Sequence, residues 1–246
     1  MGTLAILKPN KSGKLFLVST PIGNLKDISL RAIEVLKQVD LIAAEDTRRA
    51  AILLKHYQIG TATTSFFDFN KEKKTPLLIQ KLRERQAIAL ISDAGTPGIS
   101  DPAFYLVRAA IREGIDVEAV PGATAFVPAL IVSGLPTDRF VFEGFLPVKK
   151  GRLTRLMELA GEKRTIIIYE SPRRVIKTLT QLVQHLGNRH ICIAREITKK
   201  FEQIYRGEIN ELLDNPEILK LKGEFVIVIE GNKTNRCNAI SAKIKT

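Results

Sequence analysis

Ser92-Asp93-Ala94-Gly95-Thr96-Pro97-Gly98-Ile99-Ser100-Asp101-Pro102 is the stretch whose reading decides the fold. An apolar, strand-like run over residues 87–91 precedes it, and an amphipathic, helix-spaced run over 103–113 follows it. Two glycines and two prolines within eleven residues exclude both a helix and a central strand. The stretch therefore reads as a strand-to-helix loop. In an open α/β sheet that end of a strand is where ligands sit. Gly95 and Gly98 let a ligand approach the main chain, Ser92 and Asp93 offer hydrogen-bonding groups, and Asp101-Pro102 reads as the cap and first position of the next helix.

Working outward, the same alternation recurs on both sides. Towards the N-terminus, 15–19 and 40–44 read as strands, 63–67 as a short one, and the segments between as helices capped at Asp27 or Ser29 and at Glu45 or Asp46. Towards the C-terminus, 116–120 is a strand closed by Pro121-Gly122-Ala123-Thr124. Strand, helix, strand with Gly and Pro after the strands predicts a doubly wound, mainly parallel sheet. Ser133-Gly134-Leu135-Pro136 is the best boundary in the chain. Beyond it the connections shorten, with strands expected at 140–143, 165–169, 190–194, 201–206 and 224–230 and a basic helix at 149–159, which predicts a mixed α+β sheet. The domain reading is a basic tail over 1–14, an α/β domain over 15–132, a second domain over 133–231 and a basic tail over 232–246.

At 246 residues and 45% hydrophobic content the chain builds real cores. Its longest uncharged apolar run, 123–132, is too short for a bilayer and contains Pro128, so no membrane partner is expected. Residues 1–14 contain no apolar signal core. Cys192 lies in a strand-like run and Cys237 in a polar tail, so neither a disulfide nor a metal set is expected, and a reducing cytoplasmic setting fits best. Of the net charge of +12, the two tails carry seven positive charges and the body between them five, which points to a polyanionic partner.

No phosphate-binding GxxxxGK[ST] loop, dinucleotide GxGxxG, metalloprotease HExxH or nucleophile-elbow GxSxG occurs. Three strand-end loops remain in the first half: 20–25, 92–102 and 121–124. Main-chain groups, small side chains and the carboxylate of Asp93 suit an adenosine-plus-amino-acid ligand better than a triphosphate.

Six motifs in register extend this reading: Leu17-Val18-Ser19-Thr20-Pro21-Ile22-Gly23-Asn24-Leu25-Lys26-Asp27-Ile28, Ala44-Glu45-Asp46-Thr47-Arg48, Ser92-Asp93-Ala94-Gly95-Thr96-Pro97, Val120-Pro121-Gly122, Gly144-Phe145-Leu146-Pro147 and Tyr169-Glu170-Ser171-Pro172-Arg173. Together, over residues 15–231, they resemble the small-subunit ribosomal RNA methyltransferase I family, a branch of the tetrapyrrole-methylase-like, class III S-adenosyl-L-methionine methyltransferases. The resemblance implies two α/β domains with the cofactor cleft between them, a homodimer, and 2′-O-methylation of a cytidine ribose in 16S rRNA of the small ribosomal subunit, at cytidine 1402. It implies cofactor contacts at Pro21, Ile22, Asp93, Ala94, Gly95, Thr96, Thr124, Ala125, Tyr169 and Ala194, and no metal.

A ribose hydroxyl is weakly acidic, so its methylation is helped by a base or by a group that stabilises the developing alkoxide. Polar residues that close strands are the candidates: Asp46, Arg48, Glu170, Arg195 and Lys199 in first place, with Glu45 and Glu202 beside them. Each has a structural alternative. Glu45 or Asp46 caps the next helix, and Arg195 pairs with Glu170 or Glu196. RNA-contact candidates are Lys149, Lys150, Arg152, Arg155, Arg173 and Arg174, with Lys199 and Lys200; the spacing of Arg152 and Arg155 places them on one helix face. Two competing functions stay open: a tetrapyrrole C-methyltransferase on the same fold, and a binding module without catalysis.

Overall fold

The computed structural model describes residues 13–233. Both basic tails lie almost wholly outside the described residues, and Cys237 lies outside them too. The chain divides into two compact units, with the boundary after Thr124.

The first unit follows the predicted alternation. In order come β1 (Lys14–Val18), α1 (Leu30–Gln38), β2 (Leu41–Ala44), α2 (Thr47–His56), β3 (Thr63–Ser65), α3 (Lys71–Arg83), β4 (Ala87–Ile91), α4 (Ala103–Arg112) and β5 (Asp116–Val120). The sheet order is β3-β2-β4-β1-β5, with every pairing parallel. Alternation along β4 shows why the sheet is wound on both faces. Ala89 and Ile91 join a core with Val35, Leu36 and Leu54 of α1 and α2, while Ile88 and Leu90 join one with Leu78, Leu82 and Leu106 of α3 and α4. Of the alternative caps, Ser29 closes α1 by accepting the Ala32 amide, and Asp46 closes α2 by accepting the Arg48 amide.

The second unit contains α5 (Phe126–Ile131), β6 (Phe140–Phe145), α6 (Arg152–Ala160), β7 (Thr165–Glu170), α7 (Val175–Leu186), β8 (His190–Arg195), β9 (Gln203–Glu208), α8 (Ile209–Asp214) and β10 (Phe225–Ile229). Its sheet is mixed: the order is β6-β7-β10-β8-β9, with β6 and β7 parallel and the other pairs antiparallel. One face packs Ile166, Ile168, Ile193 and Ile227 against Leu156, Leu179, Leu182 and Leu212. The other face is covered in part by α5, which touches β7, β8 and β10. The unit boundary thus falls eight residues before the polar break at Ser133, because the apolar run ahead of that break folds onto the second sheet. No helix among the described residues is long and apolar enough to cross a membrane.

Candidate functional site

The carboxyl ends of the adjacent strands β4, β1 and β5 converge in the first unit. Thr20 and Gly95 exchange main-chain hydrogen bonds, the Thr20 amide donating at 2.9 Å and the Gly95 amide returning one at 3.1 Å. The Thr96 hydroxyl donates to the Ala123 carbonyl at 3.0 Å. With its one proton so used, it accepts from Ser19 Oγ at 2.9 Å and Thr124 Oγ1 at 2.6 Å. Small residues make the convergence possible. Gly95 has φ +84°, and a Cβ on Gly122 would stand 2.8 Å from that of Ser19. All three loops singled out in the sequence therefore meet. The hydroxyls that join them, Ser19 and Thr20, were not among the predicted site residues; the signal for them is a small polar pair directly after an apolar strand.

Asp93 belongs to the same loop as Gly95 and Thr96, and its contacts are with residues that leave β2. Arg49 Nη1 reaches its Oδ2 at 3.1 Å. Its Oδ1 is buried and lacks a hydrogen-bond partner, one of two such side-chain atoms among the described residues. Glu45 Oε2 accepts the Asp93 amide at 3.2 Å. Burial, and then the carboxylates of Asp93, Asp101 and Asp68, push the Glu45 carboxyl above its ordinary value against that hydrogen bond. Asp101 ties the loop down by accepting from the Gly98 amide at 2.8 Å and the Ala103 amide at 2.8 Å. Ile22 is buried beside Gly95. The junction thus offers main chain, hydroxyls and an orphaned carboxylate oxygen. Such a surface accepts hydrogen bonds from hydroxyls or an amine, and its negative charge repels phosphate.

The expected acceptor-side residues fall into separate groups. Asp46 binds the Arg48 guanidinium at 2.7 Å, and this bond holds its carboxyl well below the usual range. Glu170 has no exposed side-chain surface. It accepts from the Ser171 amide at 2.7 Å, Arg174 Nε at 2.6 Å and Thr178 Oγ1 at 2.7 Å, with Arg152 Nη2 at 3.9 Å. Arg195 is buried too, and it pairs with neither Glu170 nor Glu196: its guanidinium donates to the Lys222 and Phe201 carbonyls at 2.7 and 2.9 Å. Lys199 reaches Glu196 at 2.9 Å and Glu224 at 3.1 Å. Burial pulls its ammonium down, but the two carboxylates more than offset this and hold it above the ordinary value. Lys199 therefore stays charged and is not lowered towards a free base. The loop carrying Lys199 is strained, with Glu196 and Thr198 in the left-handed region at φ 51° and 66°.

Tyr169 is packed edge-on to Phe142 and Phe145, and burial pushes its hydroxyl up to about 12. Ala194 is interior to β8, paired to β10 and β9 on either side, with Arg195 at the strand end. The cationic cluster divides sharply. Arg152 points inward, donating to Thr178 Oγ1 at 2.6 Å, Gln181 at 2.8 Å and the Pro147 carbonyl at 3.1 Å. Arg155 points outward and is held by Glu143 and Glu158, each at 2.6 Å. The shared RNA-binding face expected for this pair is thereby corrected: the buried Glu170 draws Arg152 into the core. Arg174 is likewise committed to Glu170. Lys149, Lys150 and Arg173 are exposed and make no ion pair with a described residue.

This arrangement of two α/β units and strand-end loops defines a class. The family model for tetrapyrrole (corrin/porphyrin) methylases matches residues 14–213, and the chain belongs to that family of methyltransferases. Within it the chain belongs to the ribosomal RNA small subunit methyltransferase I family. It is 51% identical over 221 residues to the Halalkalibacterium halodurans protein of that name, covering 89% of this chain and 76% of the relative. It is 52% identical to the Synechocystis sp. protein of the same name, covering 89% and 79%. Among solved structures, uroporphyrin-III C-methyltransferase from Thermus thermophilus complexed with S-adenyl homocysteine shares the fold. Its TM-score is 0.62 at 18% identity, covering 89% of this chain and 97% of that one.

Proposed function

We propose that this chain transfers a methyl group from S-adenosyl-L-methionine to the 2′-hydroxyl of cytidine 1402 in 16S rRNA, acting as a cytoplasmic homodimer on the small ribosomal subunit. The observation that carries the cofactor reading is the orphaned Asp93 Oδ1 at the junction of three strand-end loops. The donor set fits this cofactor. Asp93 accepts from ribose hydroxyls or from the amino group. The 94–96 main chain, with no side chain at Gly95, and Pro21-Ile22 admit an adenosine at close range, with Thr96 and Thr124 fixing the loop walls. The bound cofactor supplies an electrophilic methyl on a sulfonium. The chain's task is to hold the acceptor oxygen in line with it, and alignment of this kind supplies much of the rate.

As the 2′-oxygen gains the methyl group its proton goes to solvent, and the S–CH3 bond would break to leave a neutral thioether. Lys199, kept charged by Glu196 and Glu224, stabilises the developing alkoxide as a cation. The exposed Arg48, oriented by Asp46, contacts RNA phosphate. Arg195 acts from within the fold, bracing the loop that carries Lys199, and Glu170 braces the turn that leaves β7. The cations of Lys149, Lys150 and Arg173, with the names of the relatives, favour RNA over a tetrapyrrole. The test is methyl transfer from labelled cofactor to 30S subunits, naked 16S rRNA and a tetrapyrrole precursor, followed by nucleoside mass spectrometry. The expected product is 2′-O-methylcytidine. Methylation of the tetrapyrrole, or of a base atom, refutes the assignment.

A further inference from the structure

Glu170, Arg152, Arg174 and Thr178 form a buried ionic network whose arginines also grip main chain outside it. Arg174 Nη1 donates to the Leu146 carbonyl at 3.3 Å and Arg152 Nη1 to the Pro147 carbonyl at 3.1 Å. The network therefore bolts the loop that leaves β6 to the turn that leaves β7. Three exposed cations that make no ion pair with a described residue project from these two bolted segments: Lys149 and Lys150 from one, Arg173 from the other. Phe145 ends the edge strand β6 at the same place, and 55% of it is exposed. Its ring is fixed by an edge-on contact with Tyr169 at 5.6 Å, and Tyr169 is held in turn by Phe142 at 5.0 Å. An open groove of about 380 Å³ runs beside Phe145, lined also by Pro147, Thr154 and Arg155, whose guanidinium pairs with the two carboxylates on the same wall, Glu143 and Glu158.

A half-exposed aromatic ring fixed by its neighbours, on braced segments that also carry exposed cations without an ion pair to a described residue, is the chemistry that takes a single-stranded nucleic acid. The ring stacks an unpaired base while the cations hold the flanking phosphates. A duplex offers no free base face to such a ring. We propose that this end of the second sheet binds an unpaired segment of the RNA substrate, with a base stacked on Phe145 and its neighbouring phosphates on Lys149, Lys150 and Arg173. The proposal rests on the RNA reading above and adds to it where, and in what form, the RNA is gripped.

Fluorescence anisotropy with a short unstructured RNA, and with the same strand closed by its complement, tests this across a salt series. Phe145→Ala and Phe145→Leu are expected to weaken single-strand binding about tenfold, leaving the duplex affinity and the slope against log salt unchanged. Phe145→Trp restores it. Replacing Lys149, Lys150 and Arg173 with Ala is expected to reduce the single-strand slope by about 2, from roughly 0.7 per phosphate contact. Wild-type affinity for the single strand in both Phe145→Ala and Phe145→Leu overturns the proposal while leaving the RNA reading in place. So does a Phe145→Ala effect confined to self-association in sedimentation, which would make this face a protein contact. A wild-type protein that binds neither RNA overturns both.

Discussion

Removing the Glu170 carboxylate should destabilise the second unit by about 3–5 kcal/mol, the usual effect of breaking a buried ion pair. The structure gives reasons to expect the upper part of that range. Glu170 has no exposed side-chain surface and serves three hydrogen-bond donors and two guanidinium groups. In Glu170→Ala the side chain of Arg152, only 7% exposed, keeps its charge in the interior with no carboxylate near it. Glu170→Gln keeps the shape and one acceptor oxygen, and should cost about 1–3 kcal/mol, the range for a buried polar group left imperfectly paired. Urea denaturation followed by circular dichroism measures both. A loss of this size is a large share of the 5–15 kcal/mol that typical domains possess, so Glu170→Ala should melt well before wild type. Cofactor binding to the folded Glu170→Gln variant should be unchanged. A loss below 1 kcal/mol in Glu170→Ala, with unchanged denaturant slope, refutes the idea that the network holds the fold. It would return Glu170 to the list of groups that act on substrate.

Asp93→Ala should weaken S-adenosyl-L-methionine binding by about 1–3 kcal/mol, measured by titration calorimetry, and wild-type affinity in the variant would dismiss Asp93 as a cofactor contact. Glu45 has a carboxyl raised above 4.5 by burial, so its charge opposes folding, fully above the raised value and not at all below 4.5. Glu45→Gln should accordingly melt higher than wild type at pH 7–8 and converge with it below about pH 4.5 in a calorimetric pH series; a less stable variant at pH 7 would contradict this. Lys199→Ala should lower the single-turnover methylation rate, Lys199→Arg should largely retain it, and the wild-type profile should show no Lys199 inflection near neutrality. An inflection there that disappears in Lys199→Ala would make Lys199 a base.

Main-chain features were the most legible in the sequence. The parallel sheet follows from apolar runs closed by Gly and Pro; of the two glycines read as points of close approach, Gly95 and Gly98, Gly95 packs against Ile22, while Gly98 has open space around it. Side-chain direction was the least legible. In α6 the spacing of Arg152 and Arg155 placed both on one solvent-facing, RNA-binding side. The structure instead buries Arg152 and leaves the apolar Leu153 and Met157 of the same helix 55% and 63% exposed. The reason lies eighteen residues away at Glu170, whose buried charge outweighs the local hydrophobic pattern, and no local window contains it. Arg49 was missed for the same kind of reason, because its partner Asp93 belongs to another strand-end loop. The division after Thr124 was displaced because a short apolar helix gives no sign of which sheet it will cover.

In each sheet the strand nearest the end of the described chain is an interior one. β1 lies between β4 and β5, and β10 lies between β7 and β8. A ribosome releases β1 first, yet its earliest neighbour, β4, begins at Ala87, so the strand stays unpaired while about seventy further residues are made. The second sheet has the opposite timing, since β7 and β8 lack the strand between them until Phe225–Ile229 emerges. Such long-range closure makes folding slow and leaves sticky edges open in the meantime. A chain stopped before Phe225 should consequently leave a split sheet, and quality control would meet it as an aggregating fragment rather than as a shortened enzyme.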